Sequence, residues 1–459
     1  MSKRAIQKLF WTLLLGIVFI VYWIASRVTY LEKLREEETR VNIELQSVLQ
    51  RNRVLKSQIE LRNNEQREES ARAAIEKNIS ALRELPFLKP VEYKRIPKSE
   101  LRAYILSKLR IQYSSDEFKN YEIALKRIGL IPRTTDLMQA ITSLLSEQVA
   151  AFYDQDTHEL YTFPEFNLGN NMERMILAHE LVHALQDQNF TLQKLPLRTK
   201  DNDDAALAAA ALVEGDATYQ MGVYLRENYN AEQWLGDLQM LFTQPMDQMQ
   251  AAPAYLRSSL LFPYQDGQIF ISDLHANGGN AAIDAAFKDP PESSKQILHP
   301  EKYMAVPRDR PQPVVFTFKP EPSWKKLHEN VVGELGIRAL FEDQLGVEKA
   351  QRVAAGWGGD RYVLYEITRD RWVLVWQTVW DAPKDAREFF NALDELYHAR
   401  YRMEEGLGNK GEPADSIFFS VANQKQNITL FGRTVVLLDV PDAHTMAPLL
   451  QHFSKIKHL

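Results

Sequence analysis

The chain has 459 residues, with 45% hydrophobic and 25% charged residues, which fits two or three folded domains. A net charge of −6 leaves no basic footprint, so no nucleic-acid partner is expected. There is no cysteine, which excludes disulfides, thiolate catalysis and cysteine-ligated metals.

Residues 9–25, LFWTLLLGIVFIVYWIA, carry no charge. A helix of that length spans about 26 Å, the short end for a bilayer crossing. Trp11, Tyr22 and Trp23 lie near its ends, as interfacial rings do. Lys3, Arg4 and Lys8 precede it and favour a cytoplasmic N-terminus, although Arg27, Lys33 and Arg35 follow. A cleaved signal peptide is the rival reading. Trp23 stands where a cleavage site ending at Ala25 needs a small residue. Residues 1–29 are therefore read as an uncleaved single-pass anchor, with the rest of the chain periplasmic or extracellular.

Residues 30–85 predict a coiled coil. Leu31, Glu38, Leu45, Asn52 and Ile59 fall at a, and Leu34, Val41, Val48 and Leu55 at d. Asn at a fixes register in a parallel pair, so a parallel homodimer is expected, although Glu38 is a flaw in the seam. The alternative is one amphipathic helix lying on the folded domain. Pro86 stops the helix, and 86–99 reads as a proline-marked basic linker. Helices follow at 99–109, 115–128 (stopped by Gly129) and 136–146. Residues 147–163 predict a β-hairpin around DQDT, whose edge would suit an extended peptide.

His179-Glu180-Leu181-Val182-His183 lies within a helical pattern at 171–188, with Asn170 or Asn171 as its cap. Positions four apart share a helix face, so both imidazoles reach one ion, and Glu180 can act on a water there. This is the H-E-x-x-H arrangement of zinc hydrolases, which need a third protein ligand and an open position. The next helix, 205–227, is alanine-rich and carries Glu214-Gly215-Asp216. Glu214 is the expected third Zn²⁺ ligand, with Asp216 as runner-up. Asp187 and Asp216 are candidates to orient the imidazoles.

HELVHALQDQ followed by ALVEGDAT resembles the gluzincin type of zinc metallopeptidase. FYDQDTHELY, FPYQDGQIF and PPESSKQILHPEKY further resemble membrane-associated bacterial and archaeal proteins with the same pairing. The resemblance covers 147–303. It implies a zincin-like domain over 90–305, mostly helical with a hairpin, and a protein or peptide substrate. His299 or Tyr303 could donate to the oxyanion; His275 has a weaker claim.

Beyond, helices are expected at 234–249 and 254–262, with PYQDG as a break, then at 269–277 and 280–287 around Gly278-Gly279. Five prolines in 304–324 mark a boundary. Residues 325–459 predict an α+β domain of order ββαββα, with GWGGDRY as a turn and Trp357, Trp372, Trp376 and Trp380 in its core. The fold class expected is thus α+β. The function expected is a membrane-anchored zinc peptidase. The alternative is a membrane-tethered scaffold whose metal site is inactive or structural.

Overall fold

The computed structural model describes residues 2–148, 150–230, 247–401, 415–421 and 424–455. It is a mixed α+β structure with two sheets. The chain divides into two units, Met1–Ala73 and Ala74–Leu459. The first unit belongs to one helix, α1 (Lys3–Arg83). Its apolar stretch is exposed, and by length and composition it can cross a membrane. The seam residues Leu31, Leu34, Val41, Leu45, Val48, Leu55 and Ile59 are exposed as well.

The second unit begins with the last turns of α1. Ile75, Ile79 and Arg83 step by four and are buried, whereas the seam residues before them are not. The helix stops at Arg83, three residues before Pro86, because proline cannot continue it. Residues 86–99 are not merely a linker. They contain β1 (Glu92–Arg95), which pairs in parallel with β3 (Glu159–Thr162). That pairing is long-range, so no local pattern announces it. The hairpin partner of β3 is β2 (Ala151–Asp154), an edge strand in the order β1-β3-β2. Its turn has no glycine; His158 takes the left-handed conformation instead, at φ 58°.

Helices α2 (Lys98–Gln112), α3 (Ser115–Ile128) and α4 (Leu137–Gln148) come near their expected positions. A reciprocal capping box of Ser114 and Glu117 starts α3, and Gly129 at φ 90° ends it. Next come α5 (Asn171–Phe190) and α6 (Asp203–Asn228). The helix expected at 234–249 lies, up to residue 246, outside the described residues; α7 is Asp247–Ala251. PYQDG does not break the chain: α8 (Ala254–Lys288) runs through it and departs from helical geometry at Gly278 and Gly279. Pro263 lacks an N–H, but its buried ring and Gly267 pack into the core and outweigh one lost bond. Two short helices follow, α9 (Ser294–Leu298) and α10 (Pro300–Met304).

The second sheet holds six antiparallel strands in the order β4-β5-β6-β9-β8-β7. They are β4 (Lys325–Asn330), β5 (Trp357–Thr368), β6 (Arg371–Trp380), β7 (Ser416–Val421), β8 (Gln424–Phe431) and β9 (Thr434–Val440). Helices α11 (Gly333–Leu345) and α12 (Val347–Ala354) precede β5, α13 (Pro383–Tyr401) follows β6, and α14 (Ala443–Phe453) closes the chain. The expected ββαββα order thus gains β4 and a third late strand, because Gly432 at φ 58° folds 424–440 back on itself. GWGGDRY is a turn only at Gly356, at φ 85°, and strand from Trp357 on. Its Asp360 is buried and accepts from the N–H groups of Val332 and Gly333 and from Trp357 and Trp376 Nε1. Trp357, Trp376 and Trp380 are core, and Trp372 is only partly buried.

Candidate metal centre

Helix α5 starts where Asn170 accepts a bond from the Met172 N–H, one of the orphan donors of a first turn. Its residues 177–187 are buried almost all round, so the HELVH segment is an interior helix. Against it packs α6, whose alanines leave the two backbones close. A tighter contact joins α6 to α8. A Cβ on Gly215 would lie 2.3 Å from the Gly267 carbonyl carbon, and one on Gly267 would lie 2.4 Å from the Ala211 oxygen. This crossing sets Glu214 and Tyr264, each beside one of the glycines, next to each other.

His179, His183 and Glu214 converge. Glu214 Oε2 lies 3.2 Å from the Nε2 of each histidine, and the two Nε2 atoms are 3.1 Å apart. A tetrahedral ion bonded at about 2.0–2.1 Å separates its ligand atoms by about 3.3 Å. The triad therefore has the edge lengths and the donor chemistry of a His₂Glu site. Among the described residues it is the group of this kind that could hold an ion.

The surroundings fix the proton positions. Gln186 Nε2 donates to Val213 O at 2.9 Å and to Asp216 Oδ2 at 3.0 Å. Its Oε1 is then left facing His183 Nδ1 at 3.0 Å, so that nitrogen carries the hydrogen. In the neutral ring the lone pair is on Nε2, pointing into the triad. Burial lowers the His183 pKa, but the Glu214 charge and hydrogen bond outweigh it and push it up to about 9. Burial likewise raises Glu214, and the two histidines overcome it and hold the carboxyl far below its usual range.

Glu180 is buried beside the triad, and its Oε2 accepts the Tyr153 N–H at 2.7 Å. That N–H belongs to the edge strand β2. Burial pushes the Glu180 carboxyl up, against the opposite pull of His183 and His179. Asp187 does not touch an imidazole of the triad. Its Oδ2 takes Tyr153 Oη at 2.8 Å and His158 Nδ1 at 2.6 Å, pinning the hairpin to α5. Asp216 reaches His183 only through Gln186.

A cleft of about 380 Å³ opens onto His183 and Glu214, walled by Tyr104, Lys108, Phe152 and Tyr153. Lys108 is held by Asp154 at 2.6 Å and Asp156 at 2.9 Å. A mostly apolar cavity of about 320 Å³ adjoins it, sharing Gln112, Leu197 and Ala210.

The structure does not bring His299 or Tyr303 to the triad. His299 Nε2 is engaged by Glu334 at 2.8 Å, and Tyr303 Oη donates to the Asp289 carbonyl at 2.8 Å. His275 packs at a tilt against Tyr219, with centroids 5.2 Å apart. The aromatic donor beside the triad is Tyr264. It stacks on His179 at 6.1 Å, and its phenol lies within the field of the Glu214 carboxylate. Tyr264 is 39% exposed; the Glu214 charge first, then partial desolvation and the Glu180 charge, hold its phenol well above the ordinary range, so it stays a donor. The sequence signal for Tyr264 was Gly267 one turn on, a glycine that marks a close helix crossing.

Residues 322–449, which hold the second sheet, match the family model of a domain of unknown function, DUF8575. No curated protein and no solved structure matches the chain. The match lies outside the HELVH helix and Glu214.

Proposed function

We propose that the chain is a zinc-dependent peptidase of the gluzincin type, anchored in a membrane by α1 with its second unit outside the cytoplasm. The observation that carries this reading is the convergence of His179, His183 and Glu214, with Glu180 buried beside them. His179, His183 and Glu214 would hold a divalent ion, which when bound would supply Lewis acidity toward a water and a carbonyl. Glu180 accepts the proton of that water and returns it to the leaving amine. Tyr264 donates its phenolic hydrogen to the oxygen on which negative charge develops. Phe152 and Tyr153 of the edge strand β2 line the cleft and give it an extended wall, which favours a peptide. Two copies pair in parallel through the exposed seam of α1.

The test uses the full chain in detergent. One zinc per chain, lost in Glu214→Ala and kept in Glu180→Gln, is expected. Hydrolysis of an unbiased peptide mixture should fall about 10²–10⁴-fold in Glu180→Gln. A folded wild type that binds no metal would end the metal-site reading. A zinc-loaded wild type that cleaves nothing in the mixture would end the peptidase reading alone and favour a tethered scaffold with a structural metal.

A further inference from the structure

The last residue of the long helix reaches the core of the metal-centre body. Arg83 has no exposed surface, and its guanidinium contacts all three helices around the site. Its Nε donates to Asp216 Oδ2 on α6 at 3.0 Å. Its Nη2 lies 2.7 Å from Asp284 Oδ1 on α8. Its Cζ sits 6.0 Å over the ring of Phe190, the last residue of α5. The helix end is fastened there as well, since Asn280 Nδ2 donates to the Leu82 carbonyl at 3.0 Å. Beyond it, Gln188 Oε1 on α5 accepts the Leu88 N–H at 2.7 Å.

The oxygen of Asp216 that Arg83 holds is the same oxygen that accepts Gln186 Nε2. Gln186 in turn accepts from His183 Nδ1. A fully buried carboxylate needs a cation to stay in place, and Arg83 is the cation found on Asp216 among the described residues. Bonds of this kind behind a ligating histidine fix its ring and tautomer.

Building on the metal-site reading, we propose that Arg83 is a positioning residue for His183, acting through Asp216 and Gln186, so that the end of the anchor helix is a working part of the metal centre. Arg83, Asp216 and Gln186 join α1 to His183 on α5 without themselves reaching the ion or the substrate. Asp284 provides the internal control, because it meets Nη2 of the same guanidinium and leads to no ligand.

The experiment measures zinc affinity of the full chain by competition with a chromophoric chelator, and the visible spectrum of the Co²⁺-loaded protein as a report of ligand geometry. Arg83→Met and Gln186→Leu are each expected to weaken zinc binding about 10–100-fold and to shift the Co²⁺ bands. The double variant should be no weaker than the worse single one, as for residues on one path. Asp284→Asn should lower the melting temperature and leave affinity and spectrum unchanged. Arg83→Lys should recover part of the affinity, and it serves as the test variant if Arg83→Met does not fold. Wild-type affinity and spectrum in a destabilised Arg83→Met, or in an equally destabilised Arg83→Lys, would overturn the proposal and leave the metal site standing. Simple addition of the Arg83 and Gln186 effects would also overturn it. A wild type that binds no metal would remove both.

Discussion

Asp204 shows what a single buried carboxylate costs this fold. It is 1% exposed, and its Oδ1 accepts the Ser294 N–H at 3.2 Å. Gly333, at φ +74°, lies against it so closely that a Cβ there would fall 1.8 Å from Oδ1. Burial, then the charges of Asp360 and Glu334, push its pKa up to about 7 from 3.8, against the two bonds from Ser294. Below pH 3.8 the folded and unfolded chains are both protonated there, and the site costs nothing. Between pH 3.8 and 7 the unfolded chain loses its proton first, so stability falls as pH rises. Above 7 the full cost is present, roughly a few kcal/mol. Asp204→Asn should therefore raise the denaturation midpoint clearly at pH 8 and little at pH 4. Equal shifts at both would refute the assignment. At this scale the sequence was most informative where chemistry imposes spacing: His179 and His183 are four residues apart with Glu180 next to the first, and Glu214 stands out on an alanine-rich helix. Tyr264 and Arg83 were hidden, the first behind a proline that usually ends helices, the second because a buried arginine looks like a solvated one until its partners are known.

Among the elements, the crossing of α6 and α8 sets how far Tyr264 stands from Glu214. It depends on glycine at 215 and 267, since the neighbouring atoms are backbone and cannot rotate away. Gly215→Ala should destabilise the protein by about 1–3 kcal/mol, seen in chemical denaturation. Gly222, on the same helix, meets only flexible side-chain ends at 3.9 Å. Gly222→Ala should instead gain about 0.5–1 kcal/mol from helix propensity. Losses of equal size at both positions would show that the close crossing is not what matters. The elements that periodicity governs, α3, α5, α6 and α13, were legible to within a few residues. The short strands β1 and β4 were not, because their partners are 67 and more than 30 residues away in the pairs Glu92↔Glu159 and Asn330↔Tyr362, and a four- or six-residue strand carries little pattern of its own.

For the whole molecule, the absence of cysteine makes association easy to read. Asn52 lies at a in the seam of α1, and Ser57 lies at f, facing outward. In the full chain, Asn52→Cys should form a disulfide-linked dimer under mild oxidation, and Ser57→Cys should not. Equal cross-linking of both, or of neither, would rule out a parallel in-register pair. The division between a patterned N-terminal helix and a folded remainder was legible from residue chemistry alone. The second unit's internal arrangement was not, since the second sheet meets α6 through contacts such as the Asp203 N–H with Asn330 Oδ1, and meets α9 through Lys295 with Asp381, which no local window contains.

The placement of Arg83 bears on where the N-terminal apolar helix can be cut away. A cut within the first 73 residues would free a body that keeps its buried arginine and the histidine behind it. A cut just beyond residue 83 would take away the guanidinium and leave Asp216 a buried charge with its cation gone, a loss of about 3–5 kcal/mol. Release of an intact second unit and its disruption would thus differ by about ten residues in the position of one cleavage, and a shortened form has to begin at or before Ala74 to keep that unit whole.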